Sequence, residues 1–157
     1  MNCILVDDEK PALDLLEDNI RQIPFLTIIA TCRNAMQLLS LLEQSKVDLL
    51  FLDIHMPGIN GLELLKTLKH PPMVILVTAY PEHALDGFSL DVIDYLVKPV
   101  PFNRFLKAVN KANEIYLTKQ STMKLANAES DHVFVNANYA LVKVKIDDIT
   151  YIEGLKD

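Results

Sequence analysis

Short apolar runs alternate with longer stretches of helical periodicity from Asn2 to about Leu117. The runs contain few polar residues, and this is typical of parallel strands that helices cover on both faces. A run of four to six residues is also too short for a buried helix. The runs predicted as strands are Cys3–Val6, Leu26–Ala30, Val47–Leu52, Met73–Val77 and Val92–Val97.

Each stretch that follows a strand carries an apolar stripe at the spacing of an amphipathic helix. The first predicted helix follows Pro11, the second follows an Asn34 cap, and the third ends before Pro71. A shorter helix contains Phe88, and the last begins after Pro101. Five successive strand-helix units predict an α/β fold with an open, doubly wound parallel sheet.

The pattern changes after Leu117. Residues 119–131 are small and polar, which is typical either of a fraying helix end or of a linker. Residues 132–157 then alternate between apolar and polar positions, as half-exposed strands do. We therefore predict an α/β domain over residues 1–118, a linker over 119–131 and a short C-terminal β segment over 132–157.

The composition excludes several classes of function. The chain has 157 residues with 15 Lys and Arg against 21 Asp and Glu, and its net charge of −6 argues against sequence-independent binding to nucleic acid. No apolar run reaches the ~18 residues of a membrane span, and Met1 is not followed by a secretory signal. We expect a cytoplasmic protein without a membrane partner. Cys3 and Cys32 lie in apolar runs without metal-binding spacing, as reduced core thiols do.

Polar residues stand at the carboxyl ends of four of the five predicted strands. Asp7 and Asp8 follow the first strand, Asp53 the third, Thr78 the fourth and Lys98 the fifth. In an open α/β sheet, ligands bind at this edge where the strand order reverses. In the order 2-1-3-4-5 that crevice lies between the first and third strands, so the acidic residues become neighbours.

This set of side chains suits phosphoryl chemistry. Clustered carboxylates repel one another unless a cation intervenes, and oxygen-only ligands favour Mg²⁺. A carboxylate beside Mg²⁺ can attack a phosphoryl group; Asp53 is the predicted nucleophile, Lys98 its cationic partner and Thr78 a hydroxyl donor. Each residue alone would be interpreted as a helix cap or a surface side chain, but the ordered set on one edge favours a site.

Four segments together resemble the receiver domain of bacterial two-component response regulators. They are ILVDDE at 4–9, LDIHMPGINGLEL at 52–64, VTAY at 77–80 and DYLVKP at 94–99. The resemblance covers roughly residues 1–117 and implies a flavodoxin-like (βα)5 fold with sheet order 2-1-3-4-5. It also implies that Asp53 receives a phosphoryl group from the phosphohistidine of a sensor histidine kinase.

The same resemblance implies a set of Mg²⁺ ligands. Asp8 is the expected direct ligand, and Asp7 is a second or water-mediated one. Asp53 and the backbone carbonyl of His55 complete the protein ligands. Coordination by the His55 ring is disfavoured because Mg²⁺ prefers oxygen.

The resemblance further assigns a conformational switch. Thr78 and Lys98 are expected to contact the phosphoryl oxygens, and the peptide bond between Lys98 and Pro99 is expected to be cis. Thr78 then moves toward the phosphoryl group while Tyr95 swings inward. The alternative for Tyr95 is an ordinary half-buried aromatic residue.

Phosphorylation is expected to act through the face formed by the fourth helix, the fifth strand and the fifth helix. Phe88, Leu90 and Arg104 lie on this predicted homodimer face. We also hypothesise that His55 and Tyr80, each two residues after a site residue, restrict the access of water to the acyl phosphate.

The segment HVFVNANYALVKVKIDDITYIEGLKD at 132–157 resembles the opening of the LytTR DNA-binding domain. It implies a transcription regulator that contacts DNA only through a full-length output domain. A stand-alone receiver that acts by protein contact is the first alternative. An aspartate-nucleophile phosphatase is the second, disfavoured because that class carries a second Asp where His55 stands; we do not expect an enzyme.

Overall fold

The structure is a computed structural model. It describes residues 1–79, 91–129, 132–137, 140–145 and 149–151. The predicted short helix around Phe88, together with Tyr80 and Leu90, lies outside these residues.

Five parallel strands form the central sheet of the first part of the chain. Their order is β2-β1-β3-β4-β5, so the predicted flavodoxin-like, doubly wound fold is confirmed. The strands are β1 Asn2–Val6, β2 Thr27–Cys32, β3 Leu49–Asp53, β4 Met73–Thr78 and β5 Asp94–Val97.

Among the described residues, helices follow β1, β2, β3 and β5. Pro11 lies in the first turn of α1, where a missing N–H costs nothing. The predicted Asn34 cap of α2 is present, because its side chain accepts a hydrogen bond from the N–H of Gln37. The helices are α1 Lys10–Arg21, α2 Ala35–Gln44, α3 Gly61–Thr67 and α4 Phe102–Glu129.

Strand β2 differs from the prediction. Only Cys32 is fully buried in it, and Thr27, Ile29 and Thr31 are exposed. The reason is its position at the edge of the sheet, where one face lacks full cover. The apolar run therefore indicated the strand but placed its end two residues too early, at Ala30 instead of Cys32.

Helix α4 continues for 28 residues and includes residues 119–129, which were predicted as part of a linker because they are small and polar. No Gly or Pro interrupts residues 102–129, so nothing in the sequence stops the helix early. The chain divides into two compact units, Met1–Tyr116 and Leu117–Asp157. The second contains an antiparallel hairpin of β6 His132–Ala137 and β7 Ala140–Lys145. No helix in the described parts of the chain has the length and apolar character needed to cross a membrane.

Alternate residues of each central strand enter two separate apolar cores. On one face of β1, Cys3 and Leu5 pack with residues of α1 and α4, among them the fully buried Phe105. On the other face, Ile4 and Val6 pack with residues of α2 and α3. This double cover explains the uninterrupted apolar runs, and it holds the carboxyl ends of β1, β3 and β4 rigidly beside one another.

Side chains of α4 cover the outer edge of β5. Arg104 forms a two-point ion pair with Asp94, at 2.6 and 2.9 Å, and also donates to the carbonyl oxygen of Tyr95 at 2.9 Å. Lys111, two helical turns later, donates to the carbonyl oxygen of Ile93 at 2.6 Å. The N–H of Tyr95 donates to Asp94. Arg104 and Lys111 of α4 therefore bind residues of β5 and the residue that precedes it.

Candidate functional site

Three carboxylates meet at the carboxyl ends of β1 and β3. Val6 is paired with Leu52 in the sheet, so the residues that follow each of them are neighbours. One carboxylate oxygen from each of Asp7, Asp8 and Asp53 lies within 4.8 Å of the others. Asp7 and Asp53 are 1% and 4% exposed, whereas Asp8 is half-buried. The structure therefore brings the predicted acidic residues together.

The ammonium group of Lys98 lies among these carboxylates. Its Nζ is 2.7 Å from Asp7 Oδ2, 3.2 Å from Asp53 Oδ2 and 3.6 Å from a carboxylate oxygen of Glu9. Burial acts to lower the pKa of Lys98, but the bond to Asp7 and the charge of Asp53 outweigh it, so the pKa is raised. Lys98 is thus a fixed cation that partly neutralises the acidic cluster.

Backbone geometry holds Lys98 in this position. Its N–H donates to the carbonyl oxygen of Thr78 at 2.8 Å, which joins the ends of β4 and β5. The peptide bond between Lys98 and Pro99 is cis, as the resemblance implied. Thr78 itself is the last residue of β4 and is completely buried.

The carboxylates of Asp7 and Asp8 have different surroundings. Asp7 Oδ1 accepts the N–H of Glu9 at 3.0 Å and Oδ2 faces Lys98. Burial raises the pKa of Asp7 against the opposing effects of these two contacts. The Asp8 carboxylate makes no hydrogen bond or ion pair with the residues that the structure describes. Asp8 therefore has the greater capacity to bind a cation directly.

Asp53 presents its carboxylate to a small polar cavity. Lys98 contacts its Oδ2, and the N–H of His55 donates to its Oδ1 at 3.4 Å. The cavity has a volume of about 220 Å³, room for a group of a few atoms. Its lining residues are Asp8, Glu9, Asp53, His55, Thr78, Ala79 and Lys98.

The site also depends on a residue that sequence reasoning missed. Gly61 begins α3, and a Cβ atom at this position would collide with the carbonyl oxygen of Asp53. Its N–H donates to the carbonyl oxygen of Ile54 at 2.9 Å. The sequence indicated this requirement only by a Gly that directly follows the Asn60 cap, in the segment after Asp53. Gly61 allows α3 to start against the end of β3.

The remaining predicted residues fall in three places. His55 is exposed at the opening of the cavity, where the hydrolysis hypothesis requires it. Tyr95 is half-buried on β5, and Arg104 is bound to Asp94 and Tyr95. Tyr80, Phe88 and Leu90 lie outside the described residues.

The donor set fits Mg²⁺. All three carboxylates supply oxygen only, and neither His nor Cys side chains join them in the described part of the chain. Mg²⁺ binds proteins through one or two carboxylates and retains several waters. Asp8 and Asp53 supply two such carboxylates. The backbone carbonyl of His55, two residues after Asp53, is a further oxygen donor.

Comparison with known proteins identifies relatives over the first unit and beyond it. The family model described as "Response regulator receiver domain" matches residues 3–110. An uncharacterized response regulatory protein of Yersinia pestis is 31% identical over 98% of this chain and 66% of its own length. The sensory transduction protein LytT of Bacillus anthracis is 32% identical over 100% of this chain and 67% of its own length.

A further relative is the transcriptional regulatory protein YpdB of Escherichia coli K12. It is 28% identical over 98% of this chain and 66% of its own length. The chain therefore spans about two thirds of the length of these relatives.

Solved structures show the same fold. The response regulatory domain of protein mrkE from Klebsiella pneumoniae has a TM-score of 0.70 and 30% identity, over 75% of this chain and 99% of that one. The response regulator TrrA from Thermotoga maritima, in complex with Mg(2+)-BeF, has a TM-score of 0.63 and 32% identity, over 71% and 97%.

Proposed function

Because this chain belongs to the response regulator receiver domain family, we propose that it receives a phosphoryl group on Asp53 in a two-component phosphorelay. One observation carries the proposal. Asp53 is 4% exposed, and its carboxylate opens on a small polar cavity beside both an ammonium group and two further carboxylates. A structural Asp at a strand end would need none of these neighbours.

The proposed reaction is a direct transfer from the phosphohistidine of a sensor histidine kinase. A carboxylate oxygen of Asp53 attacks phosphorus, the P–N bond breaks, and the departing imidazole nitrogen keeps the electron pair and takes up a proton. Lys98 and the Thr78 hydroxyl stabilise the phosphoryl oxygens as they approach Asp53. The N–H of His55 orients the attacking carboxylate.

The residues that would hold Mg²⁺ are Asp8, Asp53 and the backbone carbonyl of His55, with Asp7 acting through water. When bound, Mg²⁺ offsets the charge of the carboxylates and of the incoming phosphoryl oxygens. Asp7 suits an indirect role because its Oδ1 accepts the N–H of Glu9 and its Oδ2 forms an ion pair with Lys98. The structure of the related regulator TrrA in complex with Mg(2+)-BeF supports the choice of Mg²⁺ as the cation.

We propose that the phosphorylated receiver controls transcription in the cytoplasm. The names of LytT and YpdB support a regulatory output, and residues 132–157 resemble the start of a LytTR DNA-binding domain. DNA contact then belongs to the full-length output domain. Phosphorylation would displace Thr78 and Tyr95, and homodimers would form through the face that contains β5 and the first turns of α4.

The proposal is tested by incubating the 157-residue chain with Mg²⁺ and a labelled acyl phosphate. We expect up to one phosphoryl group per chain, no label on Asp53→Asn, and full labelling of Asp18→Asn, an exposed matched control on α1. Label that stays on Asp53→Asn would contradict the assignment. Release of many phosphates per chain, without a stable adduct, would indicate the phosphatase instead.

A further inference from the structure

Arg33 reaches from the end of β2 to the acidic loop. Its Nε and Nη2 both donate to the carbonyl oxygen of Asp8, at 3.2 and 2.7 Å. The residue is exposed, and its own N–H donates to the side chain of Gln37 in the first turn of α2 at 2.8 Å. Arg33 is therefore anchored on α2 while its guanidinium binds the loop after β1.

The contact fixes one particular peptide group. The peptide that joins Asp8 to Glu9 has its C=O bound by Arg33 and its N–H bound by Asp7 Oδ1. The N–H of Asp7 in turn donates to the carbonyl oxygen of Cys32 at 3.1 Å. With both polar groups of this peptide held, its plane is fixed, and this restricts the ψ angle of Asp8 and therefore the directions in which the Asp8 side chain can leave the backbone.

We propose that Arg33 is a positioning residue for the metal site, which orients the Asp8 carboxylate toward Asp53 before a cation binds. The inference rests on the proposed function, because it assumes that Asp8 is a Mg²⁺ ligand. Side chains that orient metal ligands without touching the metal affect affinity by about 10- to 100-fold in other proteins.

Arg33 has two opposite effects on Mg²⁺ affinity. Its positive charge lowers the affinity by repulsion, whereas its hydrogen bonds to Asp8 raise the affinity by positioning. Measurements at different ionic strengths separate these two effects. The Debye length falls from about 8 Å at physiological salt to about 3 Å at 1 M, so an exposed charge is screened. The orientation of a peptide group is not screened. We expect geometry to dominate.

The test is Mg²⁺ binding by isothermal titration calorimetry, with Mg²⁺ alone as the ligand and the 157-residue chain as the receptor. Arg33→Ala is expected to weaken binding about tenfold at physiological salt, and by at least as much at 1 M salt. Arg33→Lys keeps the charge with a single compact donor and should recover part of the affinity. Arg21→Ala removes an exposed arginine that pairs with Glu17 and Asp18 of its own helix and is the matched control.

A kinetic readout separates positioning from general damage. In labelling with acyl phosphate, Arg33→Ala should raise the Mg²⁺ concentration that gives half-maximal rate and leave the maximal rate unchanged. Equal Mg²⁺ affinity in Arg33→Ala and the parent chain, or tighter binding that disappears at 1 M salt, would overturn the inference. If the parent chain binds no Mg²⁺, the proposed function itself fails at its metal site.

Discussion

Replacement of Lys98 by Met tests whether this ammonium holds the acidic cluster together. Met has a similar length and no charge, so the change leaves the two nearly buried carboxylates of Asp7 and Asp53 without their shared cation. Removal of one partner from a buried ion pair costs about 3–5 kcal/mol. The Lys98 side chain is 15% exposed, so we expect the lower end, a loss of about 3 kcal/mol in the free energy of unfolding.

The assay is urea unfolding followed by far-UV circular dichroism. With a slope of about 2 kcal/mol per molar urea, the midpoint falls by about 1.5 M. Lys10→Met is the matched control, because the Lys10 side chain is 72% exposed and pairs with Asp14 one helical turn away. A surface pair of that kind contributes about 0–1 kcal/mol, so the control should unfold close to the parent chain.

The loss in the free energy of unfolding caused by Lys98→Met should depend on pH, in a direction set by the pKa shifts of Lys98 and Asp7. The folded-state pKa of Lys98 is raised, so its contribution is fully present below the unfolded pKa and is lost as the pH rises through the folded one. The folded-state pKa of Asp7 is raised as well, so Asp7 becomes neutral early as the pH falls, and the uncompensated charge disappears. The difference in the free energy of unfolding between the parent chain and Lys98→Met, called the stability gap below, is therefore widest near neutrality. It narrows toward both acidic and alkaline pH.

Saturating Mg²⁺ should reduce this stability gap, because in Lys98→Met the bound cation offsets the charge of the carboxylates that the lysine would otherwise neutralise. A gap below about 0.5 kcal/mol at pH 7, within the range of ordinary surface changes, would refute the reasoning. So would a gap of 3 kcal/mol that stayed constant from pH 7 down to about pH 4, near the ordinary pKa of Asp.

Three further predictions concern the surroundings of the site. Gly61→Ala places a Cβ against the carbonyl oxygen of the acceptor residue and should lower the free energy of unfolding by about 1–3 kcal/mol; an unchanged thermal melting temperature would contradict it. Asp94→Asn weakens the ion pair with Arg104 and should cost about 1 kcal/mol at pH 7. Burial acts to raise the pKa of Asp94, but Arg104 outweighs it and lowers the pKa below 3.8. This loss should therefore be full above pH 3.8 and disappear as the pH falls through the lowered folded-state pKa in urea titrations; a loss that stays constant as the pH falls below 3.8 would be evidence against the pair. Replacement of both His55 and Tyr80 by Ala should shorten the lifetime of the acyl phosphate, measured as loss of label after removal of the donor, and an unchanged decay would exclude a shielding role.

The strands and the residues at their carboxyl ends could be predicted from the local pattern, since an apolar run indicates a buried strand and the polar residue that ends it must lie at the edge. The order of the strands was implied by the resemblance to receiver domains. Asp7 follows β1, Asp53 ends β3 and Thr78 ends β4, so each stood where the pattern placed it. The order of the strands then brings the ends of β1 and β3 together.

Contacts between distant segments could be predicted only where they join two strand ends, as for Lys98 and Asp53, which are 45 residues apart. No strand pattern or periodicity encodes the bond from Arg33 to the backbone of Asp8. Steric limits could not be predicted either, because Gly61 is required only by the carbonyl oxygen of Asp53 at the end of β3. The extent of β2 was wrong for a related reason, since an edge strand lacks the burial that marks its ends.

The basic side chains of α4 also determine what the outer edge of β5 can accept. An unpaired strand edge offers a row of carbonyl and amide groups that can recruit a strand from another polypeptide. Here Arg104 and Lys111 bind the carbonyl oxygens of Tyr95 and Ile93, and the carboxylate of Asp94 accepts the N–H of Tyr95. An added strand would have to displace these cations to reach the two carbonyl oxygens. Sheet extension into fibre-like stacks is therefore disfavoured at this edge, and another copy that approaches here meets side chains in place of a bare backbone.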